Sequence, residues 1–280
     1  MVNGALSGIF GASGRRAARV ALRAVAFSLS AGLLSGGAGS AGAADERLAD
    51  LIPRIKPSLV GVGTFQELRR PPASLNGTGF VAGDGSVIVT NVHVISSPLD
   101  REHNERLVIF EGSGDNVRLV EVSIAATDPA HDVAILKLAQ GRLKPLGFGA
   151  ESQAREGTPI AFTGFPIGAV LGLYPVTHRG IISARTPVAV PQSSPGQLDP
   201  KMIKRLREHI EVLQLDATAY PGNSGSPMYD ASTGEVYGIV SSVFVKETKE
   251  NVLSEPSGIT YAVPIRYAQD LLTKIRASGK

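Results

Sequence analysis

The stretch TGFVAGDGSVIVTNVHVI, residues 78–95, carries the pattern that determines the fold. Two runs rich in Val, Ile and Phe flank a cluster of small and turn-forming residues, Ala82, Gly83, Asp84 and Gly85. Short runs of β-branched and aromatic residues between such clusters are typical of β-strands. The stretch therefore predicts two strands joined by a tight turn.

The same pattern continues along most of the chain. Six such runs precede the segment 147–157 and six follow it. The 32 Gly and 18 Pro among 280 residues also favour many short strands over a helical bundle. The prediction is an all-β fold of two six-stranded antiparallel β-barrels, at about 55–145 and about 155–264.

Two segments break this β pattern. The segment DPKMIKRLREHIEV, residues 199–212, has its apolar residues on one helical face, which predicts a surface helix with a solvated basic face inside a long loop, 185–212. The segment at about 265–277 has an apolar stripe at helical spacing and is followed by Gly279. It predicts a C-terminal helix that packs on the second barrel.

The first 43 residues differ in composition from the rest. They contain four Arg and no acidic residue, followed by an apolar stretch that ends in the small residues 41–43. These features are typical of a secretory signal peptide, with cleavage predicted before Ala44. We therefore expect a signal peptide at 1–43, one domain at 44–280, and export to a periplasm or out of the cell. An uncleaved membrane anchor is the alternative, but Ser and Gly dilute the apolar stretch.

Charge and cysteine content exclude several classes of function. The formal net charge is +3, with 28 basic and 25 acidic residues; without the four leader Arg, 24 basic residues face 25 acidic ones, a net charge of −1. A nearly neutral mature chain gives no indication of nucleic-acid binding. The chain has no Cys, which excludes disulfides, thiolate nucleophiles and cysteine-ligated zinc. No cofactor or metal is predicted.

Hydroxyl nucleophiles need an imidazole base and a carboxylate that orients it. His93 ends a strongly apolar run, where it is either a hydrogen-bonded core residue or a base. Asp132 opens the run DVAILKL as a turn residue or as the orienting carboxylate. The segment YPGNSGSPMYD, residues 220–230, is a tight turn that could also present a reactive serine. His178, beside Arg179, is predicted to lie on a strand surface.

The strings TGFVAGDGSVIVTNVHVI, DPAHDVAILKL and DATAYPGNSGSP stand in the order His, Asp, Ser. Together they resemble the secreted HtrA/Deg branch of trypsin-like serine proteases, whose two barrels have the chymotrypsin-like arrangement. The resemblance covers nearly all of the chain after the predicted leader. It implies Ser224 as nucleophile, His93 as general base and then acid, and Asp132 as its orienter. The backbone N–H groups of Gly222 and Ser224 would form the oxyanion hole.

The resemblance also implies substrate contacts. The string YGIVSSV resembles the strand that pairs with substrate backbone, with Val240, Ser241 and Ser242 along one side of the first specificity pocket and Thr218 near its floor. Because position 218 is not acidic, small or medium apolar residues are expected there rather than Lys or Arg. Glutamyl endopeptidases have a His where Val240 stands, which argues against a preference for Glu. Extended or unfolded polypeptides are the expected partners.

The chain departs from the family pattern at several points. Asn223 replaces the Asp that pairs with a freed amino terminus in digestive proteases, so activation by such cleavage is not expected. Ser226 replaces the usual second Gly after the serine. A PDZ domain is not expected, and a homotrimer is an open alternative to a monomer.

Two functions are consistent with these residues. The first is an exported serine endopeptidase acting on unfolded or damaged envelope proteins. The second is a protease-fold binding or chaperone-like protein with little or no turnover. A membrane-tethered protease is a weaker third.

Overall fold

A computed structural model describes residues 39–166, 172–187, 210–241 and 259–278. These residues include twelve strands and three α-helices. In the first half of the chain, the strands are β1 (Leu59–Phe65), β2 (Ala73–Ala82), β3 (Val87–Thr90), β4 (Arg106–Ser113), β5 (Asn116–Asp128) and β6 (Val133–Leu138). In the second half, they are β7 (Pro159–Gly164), β8 (Val176–Pro187), β9 (Glu211–Asp216), β10 (Pro227–Asp230), β11 (Val236–Ser241) and β12 (Ile259–Pro264). The helices are α1 (Gly39–Ile55), α2 (Val92–Ile95) and α3 (Arg266–Ala277).

The strands form two closed barrels. The order is β1, β2, β3, β6, β5, β4 in the first barrel and β10, β11, β12, β9, β8, β7 in the second. Neighbouring strands are antiparallel in both barrels. The predicted all-β fold of two six-stranded barrels with a C-terminal helix is confirmed, and each predicted run contains one strand.

Strands β2 and β3 are buried on both faces. Val81 and Ile88 pack inside the first barrel. Phe80 and Val89 belong to a second apolar cluster that also contains residues of the other barrel, of α1 and of α3. Because both faces are covered, these strands appear in the sequence as continuous apolar runs rather than as alternating ones.

The turn predicted between β2 and β3 is present. Its two glycines have φ values in the left-handed region, +65° at Gly83 and +90° at Gly85, where a side chain is strained. A Cβ at Gly85 would also lie 2.3 Å from the carbonyl oxygen of Leu143. The turn therefore requires glycine for both conformational and steric reasons.

Helix α3 lies in a different place from the one predicted. It buries Ala268, Leu271 and Leu272, as the stripe indicated, but it packs on β5 and β6 of the first barrel. The ring of Tyr267 stacks on His131, just before β6, with 3.7 Å between ring centroids. The prediction that α3 packs on the second barrel is therefore wrong, because an apolar stripe does not specify which barrel will cover it.

Several sequence predictions fall on residues outside these ranges. Most of the predicted loop helix at 199–212 is among them, and its last two residues begin β9 instead. The predicted leader also lies largely outside, while α1 spans the predicted cleavage position. Among the described residues, every helix is too short or too polar to cross a membrane.

Candidate active site

The three predicted catalytic residues are carried by separate elements. His93 lies in α2 and Asp132 in the turn before β6, both in the first barrel. Ser224 lies in the loop between β9 and β10 of the second barrel, residues 217–226, which we call the serine loop. His93 was predicted at the end of a strand, but the chain turns at Asn91 into one turn of helix. A site that uses all three residues must therefore lie where the barrels meet.

Strand β2 ties the serine loop to the first barrel. The backbone N–H of Thr78 donates to the carbonyl of Ser224 at 2.8 Å, and the Thr78 hydroxyl donates to the carbonyl of Gly222 at 2.7 Å. A Cβ on Gly77 would lie 2.9 Å from that Ser224 oxygen and 2.8 Å from Cγ2 of Val94 in α2. One point on β2 thus contacts both the serine loop and the helix that carries the candidate base.

Asp132 holds His93 through two hydrogen bonds. Its Oδ2 lies 2.7 Å from Nδ1 of the imidazole, and its Oδ1 accepts from the His93 backbone N–H at 3.0 Å. Asn91 donates from Nδ2 to the carbonyl of Asp132 at 2.8 Å. A carboxylate at Nδ1 favours the tautomer with its proton there, which leaves Nε2 as a proton acceptor. The pair therefore has the geometry of an oriented general base.

The carboxylate of Asp132 has a further partner from the second barrel. The Ser241 hydroxyl, which is completely buried, donates to Oδ2 at 2.9 Å. Asp132 itself is 8% exposed and has a φ of +56°, which is uncommon for a residue with a side chain. Tertiary contacts on both sides of the carboxylate hold this strained residue in position.

The serine loop consists of two successive tight turns. The N–H of Asn223 donates to the carbonyl of Tyr220, and the N–H of Ser226 donates to the carbonyl of Asn223, both at 3.0 Å. The third position of each turn is a glycine, with φ +97° at Gly222 and +88° at Gly225, as type II turns require. The predicted turn is therefore present as two turns, and Ser224 is the second residue of the second one, 223–226.

Behind this loop lies a histidine that the sequence did not single out. His178 was predicted on a strand surface, but its ring stacks on Phe162 with centroids 4.8 Å apart, and it faces Tyr220. Its Nε2 lies 3.3 Å from Nδ2 of Asn223. Burial lowers the pKa of His178 from its ordinary value. The sequence did offer a signal, because the run that carries His178 follows the apolar run TPIAFTGF. The two runs form the neighbouring strands β7 and β8.

Ser226, where the chain departs from the family pattern, is also completely buried. Its hydroxyl occupies the space above Gly164, where a Cβ would lie 2.0 Å from Oγ. Within the described ranges, neither this Oγ nor Oδ1 of Asn223 has a hydrogen-bond partner. Ser226 therefore fills space beneath the loop.

The predicted substrate contacts lie in different environments. Thr218 is half-buried. The Thr260 hydroxyl holds the backbone on either side of it, since it donates to the Ala217 carbonyl and accepts from the Ala219 N–H. The Val240 side chain is completely buried in the second barrel. The Ser241 hydroxyl contacts Asp132, and Ser242 lies outside the described residues. Within those residues no His, Asp or Glu cluster has an arrangement that could hold a metal ion.

Comparison with known proteins agrees with this fold. The family model of the trypsin-like peptidase domain matches residues 77–239, and the chain belongs to this family. The solved structure described as "HtrA-type protease AlgW with tripeptide" superposes with a TM-score of 0.58, at 22% identity, over 83% of this chain and 64% of that one.

Curated relatives are HtrA and DegP-like proteases. "Probable periplasmic serine endoprotease DegP-like" of Pseudomonas fulva is 28% identical over 212 residues, which are 76% of this chain and 37% of the relative. "Serine protease HTRA1" of Xenopus laevis is 26% identical over 221 residues, 78% of this chain and 40% of the relative. The chain thus spans about two fifths of the length of these relatives.

Proposed function

We propose that this chain is a serine endopeptidase in which Ser224, His93 and Asp132 form the catalytic triad. The observation that carries the proposal is the contact of 2.7 Å between Nδ1 of His93 and Oδ2 of Asp132. That contact lies beside a serine loop that β2 holds against the same helix. Membership of the trypsin-like peptidase family supports the same function.

In this mechanism, Nε2 of His93 takes the proton of the Ser224 hydroxyl as Oγ attacks the carbonyl carbon of the substrate. Asp132 stabilises the imidazolium that forms, through the hydrogen bond at Nδ1. His93 then gives the proton to the leaving amine, and the peptide C–N bond breaks. Water, deprotonated by the same imidazole, hydrolyses the resulting acyl-enzyme and regenerates Ser224.

The backbone N–H groups of Gly222 and Ser224 would stabilise the oxyanion of the tetrahedral intermediate. Each belongs to one of the two turns of the serine loop, and the hydrogen bonds of Thr78 hold both turns. Fixed donors of this kind are effective because they need no reorganisation during the reaction, and loss of one typically reduces kcat by about 10²–10³.

The proposed substrates are unfolded or damaged polypeptides of a cell envelope. The relatives include proteins named as periplasmic endoproteases, and an extended backbone suits strand-like pairing. We further propose export through the leader at 1–43 and a preference for small or medium apolar side chains above Thr218. Cleavage of a peptide library measures this preference, and selective cleavage after Lys, Arg or Glu would contradict it.

The test compares wild-type protein with Ser224→Ala. We expect a fluorophosphonate probe to label only the wild type, and only the wild type to degrade casein, because Ser224 supplies the attacking oxygen. Ser226→Ala, which leaves the nucleophile in place, is the matched control and should still be labelled. If neither labelling nor casein cleavage depends on Ser224 over a range of pH and temperature, the chain is not a serine endopeptidase, and a binding or chaperone-like role would replace this proposal.

A further inference from the structure

Asn223 joins the two turns of the serine loop. It is the last residue of the turn that contains Gly222 and the first residue of the turn that contains Ser224. Its N–H closes the first turn, and its carbonyl accepts the hydrogen bond that closes the second. A rotation of Asn223 would therefore displace both proposed oxyanion donors together.

Within the described ranges, one hydrogen bond anchors the Asn223 side chain. The residue is completely buried, and its Nδ2 lies 3.3 Å from Nε2 of His178. Its Oδ1 has no hydrogen-bond partner among the described residues. Because the amide lacks a second anchor in that part of the chain, its orientation depends on His178.

His178 is itself rigidly placed. It sits on β8 opposite Phe162 of β7, and the two rings stack with an angle of 21° between their planes. On its other side lies Tyr220, the first residue of the serine loop turns, with 5.8 Å between centroids. Neighbouring elements thus fix the imidazole while its Nε2 faces the loop.

The surroundings of His178 favour the neutral ring. Burial lowers its pKa below the ordinary value of 6.5. Among the described contacts, β7 presents the Phe162 ring and the serine loop presents the Tyr220 phenol and the Asn223 amide. On β8 itself the adjacent charged group is Arg179. A neutral imidazole can accept the hydrogen bond that Asn223 donates.

We propose that His178 is a positioning residue for the oxyanion hole: its neutral Nε2 accepts a hydrogen bond from Nδ2 of Asn223 and thereby fixes the peptides of Gly222 and Ser224. This inference rests on the proposed serine endopeptidase function. When His178 is protonated, both ring nitrogens carry hydrogen, and Nε2 can no longer accept from the amide. In acid the Nε2–H of His178 would then face the Nδ2 donor of Asn223, and the contact that anchors the oxyanion hole would be broken.

The kinetic test uses two substitutions of His178. His178→Phe keeps a stacked ring but removes the acceptor. We expect kcat to fall about tenfold while KM stays within about twofold of the wild type. This fall in kcat is smaller than the fall of about 10²–10³ that loss of a whole oxyanion donor causes. His178→Gln supplies an acceptor that does not titrate and should retain most of kcat. The control is His103→Gln, in an exposed His and Asp pair away from the loop. Equal kcat values for the Phe variant and wild type would overturn the proposal.

The pH profile distinguishes positioning from a merely structural role. In the wild type, protonation of His178 removes the acceptor that holds the oxyanion donors, so kcat/KM should fall about tenfold further on the acid side than it does in His178→Gln, where position 178 does not titrate. The measurements use the pH range in which circular dichroism shows folded protein. Identical acid-side profiles in both proteins would contradict the inference.

A titration that needs no turnover separates this inference from the proposed function. In Ser224→Ala, NMR should show the Asn223 side-chain amide signals shifting with the same midpoint as the His178 ring, below pH 6.5. Amide signals that do not respond to His178 would overturn the inference even in an active protease. A coupled titration in Ser224→Ala, together with a wild-type protein that shows no turnover, would refute only the proposed function.

Discussion

Asp132 receives hydrogen bonds from both barrels. His93 of the first barrel donates twice, from its backbone N–H and from Nδ1, and Ser241 of the second barrel donates from its hydroxyl. The carboxylate is thus held in line with the imidazole by residues far apart in sequence. Ser241 was predicted along one side of the specificity pocket, and that role stays a prediction beside the contact of its hydroxyl with the carboxylate.

Replacement of Ser241 tests this arrangement at the scale of one residue. In Ser241→Ala, one of the three hydrogen bonds that the described residues donate to the carboxylate is lost. We expect kcat to fall about tenfold, equivalent to about 1.4 kcal/mol, with little change in KM, because this hydroxyl is completely buried against the carboxylate. Steady-state kinetics on a peptide substrate measure both parameters.

The control is Ser232→Ala, which removes a hydroxyl that donates to Asp230 in a turn of the second barrel. It should leave kcat unchanged. A rise in KM without a fall in kcat for Ser241→Ala would instead support the pocket role that the sequence predicted.

At the scale of elements, the serine loop is pressed closely against β2 and β3. A Cβ at Gly225 would lie 1.9 Å from the carbonyl oxygen of Thr78 and 2.5 Å from the hydroxyl of Thr90. Thr90 donates that hydroxyl to the same carbonyl at 2.7 Å. The first barrel therefore leaves no room for a side chain at the residue that follows Ser224.

Gly157 offers a matched comparison for a substitution at Gly225. Both have positive φ, +81° and +88°, but a Cβ at Gly157 would meet nothing within 4 Å. Gly157→Ala should lower the free energy of unfolding by about 1–2 kcal/mol through backbone strain alone. Gly225→Ala adds the clash, and overpacking costs about 1–3 kcal/mol more. It should also abolish fluorophosphonate labelling, because the loop must move.

Urea unfolding and probe labelling measure these two effects separately. Equal losses of stability in the two variants would show that the serine loop can move away from β2 without cost. In that case the two hydrogen bonds that Thr78 donates to the serine loop would not be what fixes the loop.

At the scale of the whole molecule, acid should destabilise the fold. The Ser86 hydroxyl and backbone N–H hold the pKa of Asp84 at about 2, below its ordinary 3.8. Hydrogen bonds also lower the pKa of Asp100, chiefly from the His103 side chain, and of Glu105, chiefly from the Asp100 backbone. Because the unfolded chain binds these protons more tightly, the stabilisation is present above the unfolded pKa values and disappears as pH falls through the folded ones.

We therefore expect the free energy of unfolding, measured by urea titration, to fall as the pH is lowered from about 5 to about 2. In Asp84→Asn the decrease between about pH 4 and 2 should be smaller, because one of the linked protons is absent. Between about pH 5 and 7 this substitution should leave the pH dependence unchanged. An identical acid dependence in both proteins would show that Asp84 is not among the groups responsible.

Much of the molecule was determined by local sequence. Apolar runs separated by Gly, Pro and Asp clusters were sufficient to predict twelve strands in two barrels, because strand formation and turn chemistry depend on near neighbours. The left-handed glycines at Gly83 and Gly85, and the two turns around Ser224, follow from the same local rules. The order of His, Asp and Ser strings was likewise visible without a structure.

Only the tertiary structure decided which long-range partners these elements meet. The stripe of α3 predicted a buried face, but the path of the chain after β12 placed that face on the first barrel. The contacts of Ser241 and His178 were not predictable for the same reason: their partners, Asp132 and Asn223, are 109 and 45 residues away. Hydrogen bonds across such separations leave no periodic signal in the sequence, since they depend on where two barrels dock.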